Sequence, residues 1–203
     1  MPLAEPPLAA RIALALGRVG QAQRTALQAV ATGKGLSPLQ IQILDVLAAG
    51  EPPEPRTQAI ARELGVGQPT LTESINALQE KGLVTRTFDP ADRRRTTLAL
   101  TDAGEETART LGSQPTAIEE AIVGLPVMIQ EQLLEAVIAV VDALHAAGAV
   151  PASRTCTTCA SYDPNASRCR HYAIPIRRRD LRVDCPAHTG PSSVVGNKVP
   201  ATS

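Results

Sequence analysis

The chain has 203 residues, 20 basic and 20 acidic side chains, and a formal net charge of zero. Its only aromatics are Phe88, Tyr162 and Tyr172, which excludes the exposed aromatic platforms on which single-stranded nucleic acids stack. The zero looks like a second exclusion, of any polyanionic partner, but it is a sum of unequal parts: residues 105–150 carry −6 and residues 151–203 carry +5. Asymmetry of this kind points to segments with separate tasks.

No run of 18 apolar residues occurs, and the N-terminus lacks a basic region followed by an apolar one. The expectation is therefore a cytoplasmic chain with no membrane partner. Its length suits about one to two domains. Four cysteines in a reducing compartment read as metal ligands or redox thiols rather than disulfides.

In chain order, apolar residues recur at helical spacing from Leu8 to Val30, and Gly33-Lys34-Gly35 stops them. Ser37 followed by Pro38 predicts an N-cap and first helical residue, and a helix through Leu39, Ile43 and Leu47. Prolines 52, 53 and 55 make a stiff connector. Thr57 predicts the cap of a short helix that Gly65 ends in a left-handed turn. A second helix follows, with Leu71, Ile75 and Leu78 on one face, and Gly82 closes it. Leu83–Phe88 and Thr96–Leu100 read as two strands around the turn Asp89–Arg95, and Thr101 caps the next helix. Glu105 and Glu106 lie near its start, where the helix dipole favours them. Pro126 to His145 reads as the last long helix, with Leu133, Val137, Val140 and Leu144 as its stripe.

Two short helices joined at a glycine and followed by a hairpin predict a winged helix-turn-helix, mainly α with a small β wing. Such a unit puts its second helix in the major groove of duplex DNA and its wing beside phosphate or the minor groove. Exposed positions on that helix are Gln68, Pro69, Thr70, Thr72, Glu73 and Asn76. Gln and Asn pair with adenine edges, and Thr meets a thymine methyl or phosphate. Arg86 on the first strand and Arg93, Arg94 and Arg95 on the turn are the basic candidates.

From Asp89 to Gly104 the sequence reads DPADRRRTTLALTDAG, and Gln79-Glu-Lys-Gly-Leu-Val84 precedes it. Over roughly residues 8–147 the chain resembles the MarR family of dimeric bacterial regulators. Asp92 and Arg94 fill that family's Asp-x-Arg wing positions, and Leu100, Thr101 and Gly104 fill its Leu-Thr-x-x-Gly. The resemblance implies that Asp92 braces the wing by pairing with an arginine, and that Arg94 or a neighbour reaches the minor groove. It further implies a homodimer built from the first and last long helices, reading a palindromic operator in double-stranded DNA. Gly67 and Glu73 depart from the family, which often has Ser and Arg there.

The cysteines, Cys156, Cys159, Cys169 and Cys185, form a C-x2-C-x9-C-x15-C array. A segment this small and poor in large apolar groups needs a metal to hold it. One C-x-x-C followed by two spaced cysteines resembles the high-potential iron–sulfur proteins, which implies a [4Fe–4S] cluster; Tyr162 matches their aromatic. Zinc is the alternative, with Cys185-Pro-Ala-His188 as a second ligand pair. Otherwise His171 and His188 read as neighbours of the site, and His145 as a helix-ending residue. Arg168, Arg170 and Arg177–Arg179 could offset the charge of a four-thiolate site or contact DNA phosphate.

The predicted organisation is an N-terminal dimerisation helix (1–35), a DNA-binding domain (36–104), C-terminal dimerisation helices (105–150), a four-cysteine metal module (151–190) and a disordered tail (191–203). The preferred expectation is a transcription regulator, not an enzyme, that senses redox or iron status. A regulator with structural zinc and a small phenolic effector stays open. So does an iron–sulfur electron-transfer or enzyme-subunit module. No base–nucleophile pair, phosphate loop or H-E-x-x-H motif supports catalysis by the chain itself.

Overall fold

The computed structural model describes residues 6–50, 55–88, 96–113, 116–150 and 153–190. The predicted wing residues Asp92, Arg93, Arg94 and Arg95, the prolines 52 and 53, and the tail 191–203 lie outside them. The chain divides into two compact units between Leu125 and Pro126.

In the first unit, α1 (Leu8–Gly33) and α2 (Pro38–Ala48) are separated by a short turn. Ser37 caps α2 in a reciprocal box with Gln40, whose backbone N–H donates to the Ser37 hydroxyl at 3.2 Å while its side chain accepts from the Ser37 N–H at 3.0 Å. α3 (Thr57–Leu64) and α4 (Gln68–Glu80) make the helix-turn-helix. Gly65 ends α3 at φ +63°, a left-handed position open to glycine without strain. Thr57 is the first residue of α3 and not its cap: Arg56 holds the cap position, with no side-chain capping bond. The threonine backbone has already turned helical there, and so its hydroxyl is misplaced for capping.

β1 (Val84–Phe88) and β2 (Thr96–Leu100) pair antiparallel with Val84 opposite Leu100 and Phe88 opposite Thr96. The strand starts at Val84, one residue after the expected Leu83, whose carbonyl still accepts from Thr101 N–H at 3.1 Å. Thr101 caps α5 (Asp102–Gly112): its hydroxyl accepts from Gly104 N–H at 3.1 Å and donates to the Gly82 carbonyl at 2.6 Å. A Cβ on Gly104 would lie 2.0 Å from the Leu83 carbonyl oxygen. The Leu-Thr-x-x-Gly pattern is thus a packing device that lays α5 directly on the exit of α4. α6 (Ala117–Val123) completes the unit. No apolar stripe marks it in the sequence, but Thr116 and Glu119 carry a full capping box.

The core of this unit is apolar and dense. Ile43, Leu44, Ile60, Leu71, Ile75 and Leu78 are wholly buried, joined by Val84, Leu98 and Ala108. The three α4 positions expected to face inward all do so. Each buried side chain of this size contributes about 1.5–3 kcal/mol.

The second unit opens with α7 (Val127–Ala146), capped by Pro126, and continues into the cysteine segment. That segment has little regular structure: 3-10 turns at Cys156–Thr158 and Arg178–Asp180, and a three-stranded sheet of β3 (Tyr162–Asp163), β4 (Arg168–Cys169) and β5 (Ile174–Pro175). Its buried residues are few: Ser153, Thr155, Cys156, Ile176 and Cys185, with Ile138 on α7.

Among the described residues no single helix is long and apolar enough to cross a membrane.

Candidate functional site

On α4 the burial of Leu71, Ile75 and Leu78 decides what the opposite face offers. Gln68, Pro69, Thr70, Glu73 and Asn76 are exposed, and Thr72 is half-buried. The Thr72 hydroxyl donates back to the Gln68 carbonyl at 2.8 Å, so it is engaged within the helix. Arg86 on β1 donates from Nη2 to the Asn76 side-chain oxygen at 2.9 Å. Two predicted contact residues, one from the helix and one from the wing strand, are therefore held side by side. The pairing leaves the Asn76 NH₂ to donate, while the oxygen that would complete a bidentate adenine contact is occupied by a guanidinium.

The second constellation gathers all four cysteines. Cys156, Cys159, Cys169 and Cys185 line one cavity together with Tyr162, Tyr172, Ile176, Arg182 and Ala187. None is disulfide-bonded. Cys156 and Cys159 reach the cavity from a single 3-10 turn, Cys169 from β4, and Cys185 from the chain that bridges back to Arg154. Among the described residues, no three His, Cys, Asp or Glu side chains converge as a single metal ion requires.

The surroundings treat the two sulfurs of the C-x-x-C turn differently. Arg182 N–H points at Cys156 Sγ at 3.3 Å. Burial pushes the Cys156 thiol up, against that hydrogen bond, and the other three cysteines add to the rise. Burial pushes Cys159 the same way, but hydrogen bonds from the backbone of Thr189, Ser161 and Tyr162 and from the Thr189 hydroxyl outweigh it and hold the thiol below its ordinary range. The Arg182 guanidinium lies 4.7 Å from the centre of the Tyr172 ring, in cation–π range, and is hydrogen-bonded to Cys185. His188 is not among the cavity-lining residues; its Nε2 meets the Thr158 hydroxyl at 3.0 Å. His171 packs edge-on against Tyr172.

The arginines expected to offset a metal site do other work. Arg168 and Arg170 donate to the carbonyls of Ala173 and Ala160 and brace the small sheet. Arg177 pairs with Asp180, Arg178 with Glu135 at 3.2 Å, and Arg179 with Glu131 at 2.6 Å. The cation beside the sulfurs is Arg182, which the spacing of the cysteines did not single out.

These ion pairs also explain part of the uneven charge. Glu131, Glu135 and Asp142 are separated by 4 and 7 residues, so they form one stripe on α7, with the buried Ile138 between them. That stripe faces the cysteine segment. Leu133, Val140 and Leu144 lie on the opposite side and are exposed in the single chain.

Residues 34–95 match the MarR family. Among solved structures, Streptococcus pneumoniae FabT in complex with DNA is 24% identical, with TM-score 0.57, covering 67% of this chain and 99% of that one. The PcaV transcriptional regulator of Streptomyces coelicolor with its natural ligand is 26% identical, with TM-score 0.53, covering 70% of this chain and 99% of that one. CouR of Rhodococcus jostii RHA1, bound to p-coumaroyl-CoA, is 25% identical, with TM-score 0.53, covering 67% of this chain and 95% of that one. The family match covers the helix-turn-helix and the start of the wing, and these neighbours share the fold of the first unit and α7. They are covered almost whole, and the remainder of this chain has no counterpart in them.

Proposed function

We propose that this chain is a DNA-binding transcription regulator of the MarR type that carries, in its C-terminal unit, an iron–sulfur cluster reporting redox or iron status in the cytoplasm. The observation that carries the first half is the α4 face, where Gln68, Pro69, Thr70 and Asn76 are exposed with Arg86 alongside. The wing arginines Arg93, Arg94 and Arg95 and the bracing residue Asp92 complete this reading as proposals. The exposed apolar stripes, Leu8, Ile12 and Val19 on α1 and Leu133, Val140 and Leu144 on α7, support a homodimer. Two copies of α4 about 34–36 Å apart then address the half-sites of a palindrome.

The observation that supports the second half is one cavity lined by all four cysteines, none of them disulfide-bonded. The pattern of one C-x-x-C turn followed by two spaced single cysteines is the ground for preferring a cluster to tetrahedral zinc. Cys156, Cys159, Cys169 and Cys185 would hold it. When bound, a [4Fe–4S] cluster supplies a one-electron couple and sensitivity to oxidants. The protein's own part is to donate hydrogen bonds to the sulfurs, from Arg182 N–H and the backbone around Cys159, and to place the Arg182 cation beside their negative charge. The walls of Tyr162, Tyr172 and Ile176 limit access of water.

The test is retardation of DNA from the chain's own promoter region by anaerobically purified protein, alongside iron, sulfide and zinc counts. Sequence-specific, salt-sensitive retardation with iron and sulfide is expected. Absence of retardation overturns the regulator and favours an electron-transfer or enzyme-subunit role. A colourless protein with stoichiometric zinc overturns the cluster, and retardation unchanged by Cys156→Ser overturns the sensing. CouR with its bound p-coumaroyl-CoA favours a second reading, in which the metal is structural zinc and a small phenolic compound is the effector. Release of DNA on adding phenolic acids to the zinc form would establish it.

A further inference from the structure

We infer that Asp142 is the residue through which occupancy of the cysteine cavity is conveyed to α7; the inference rests on the metal-binding reading above and holds for a cluster or for zinc. Asp142 lies one turn beyond the buried Ile138 and two turns beyond Glu135, at the C-terminal end of α7's carboxylate stripe. Three hydroxyls converge on its carboxylate. Ser153 and Thr155 donate to Oδ1 at 2.7 and 2.8 Å, and Thr157 donates to Oδ2. These donors flank or enter the turn that carries Cys156 and Cys159. Thr155 is wholly buried and Ser153 nearly so, which is the environment where an unmade hydrogen bond is costly.

The network does not stop at the first cysteine pair. Thr155 Oγ1 is 3.1 Å from Thr158 Oγ1, and Thr158 Oγ1 is 3.0 Å from His188 Nε2. One proton order satisfies every member: His188 N–H donates to Thr158, Thr158 to Thr155, and Thr155 to Asp142. His188 N–H also donates to the Cys185 carbonyl through its backbone at 3.0 Å. A carboxylate on α7 is thus joined to both ends of the array, the Cys156–Cys159 turn and the Cys185–His188 turn. Glu131 and Glu135 hold the arginine turn at Arg178–Arg179 to the same face of α7.

The consequence is mechanical. The cysteine segment has only a few buried apolar side chains, so a metal that ties its four sulfurs together is what orders its two cysteine turns. While those turns are ordered, Ser153, Thr155 and Thr157 are presented to Asp142 as a set. When the metal leaves, the set disperses, and the last turns of α7 lose the partners of their one inward-facing carboxylate there. α7 also bears the exposed apolar stripe proposed for the homodimer, so its order bears on DNA affinity.

Hydrogen exchange on the full chain, metal-loaded and metal-free, tests this, with metal counts on each sample and DNA affinity measured in parallel. In the wild type, metal removal is expected to raise exchange at least tenfold in residues 138–147 and to weaken DNA binding. In Asp142→Asn that still holds its metal, exchange there is already raised and removal adds little, and the gap in DNA affinity between the two forms shrinks severalfold. Asp142→Glu restores part of both. Wild-type exchange in 138–147 that ignores metal removal, while residues 153–190 open, overturns the inference and leaves metal binding standing. So does an Asp142→Asn protein that responds as the wild type does. Where Asp142→Asn loses its metal, Thr157→Val decides by the same comparison. A wild type without iron, sulfide or zinc overturns both readings, and the metal counts tell the cases apart.

Discussion

The two units of this chain reach order by opposite means. The first closes on six large, wholly buried aliphatic side chains contributed by α2, α3 and α4, with Ala31 of α1 beside them. The second buries threonine, serine and cysteine more often than aliphatic residues, satisfies the hydroxyls through hydrogen bonds to Asp142 on α7, and adds ion pairs from its arginines to the same helix. An apolar core is insensitive to pH, oxidants and metal supply, whereas a unit held by thiols and carboxylates responds to all three.

The sharpest way to break this contrast is Cys185→Ser, a buried thiol in the sparse unit. All bound metal should be lost and exchange protection across 153–190 should collapse, while residues 36–113 keep theirs. Loss of protection in both units would mean the first is not independently stable. Leu71→Ala tests the other side: it should cost about 2–5 kcal/mol in chemical denaturation without altering the metal count. Gly104→Ala comes next, because its Cβ would meet the Leu83 carbonyl. A loss of about 1–3 kcal/mol from overpacking is expected, with a drop in DNA affinity as the wing moves relative to α4. Asn76→Ala removes a single donor to a base edge, its oxygen being taken by Arg86, and should cost about 0.5–1.5 kcal/mol at one base position. Arg86→Ala should weaken binding across sequences and lower the salt slope by about one. The smallest effect is on pH. Burial pushes the Asp142 carboxyl up, but hydrogen bonds from Thr157, Ser153 and Thr155 and the charge of His145 outweigh it and hold it below the ordinary aspartate range. A depressed carboxylate stabilises above its unfolded range and loses that contribution as pH falls through its lowered value. Melting of the second unit should therefore steepen below about pH 4, and Asp142→Asn should flatten it.

Most of the reading unit was legible because its signals are local. Ser37-Pro38, Gly65, Thr101 and the Leu71, Ile75, Leu78 stripe each act within one or two helical turns, where capping and periodicity operate. Thr57 slipped by one residue, since a threonine can cap or begin a helix and only the backbone decides. α6 went unnoticed although its Thr116–Glu119 box was plain, because the segment around it offers few apolar residues to mark a stripe. The four cysteines were legible as a set from spacing alone. Their surroundings were not: Tyr172 and Arg182 each lie three residues from a cysteine, Cys169 and Cys185, but only the turns of the small segment bring both against the same cavity, and nothing periodic marks them.

The charge imbalance draws the line between the two kinds of knowledge. Sequence by itself determined that the net zero conceals an acidic stretch and a basic one, and that the basic one carries a four-thiol array. It also determined the helix-turn-helix, because helix starts, stops and faces depend on near neighbours. Only the tertiary structure decided that Glu131 and Glu135 answer Arg179 and Arg178, and that Asp142 answers the hydroxyls beside Cys156. Those partners are set by which side of α7 the returning chain meets, and a return path of tens of residues leaves no local trace in the sequence.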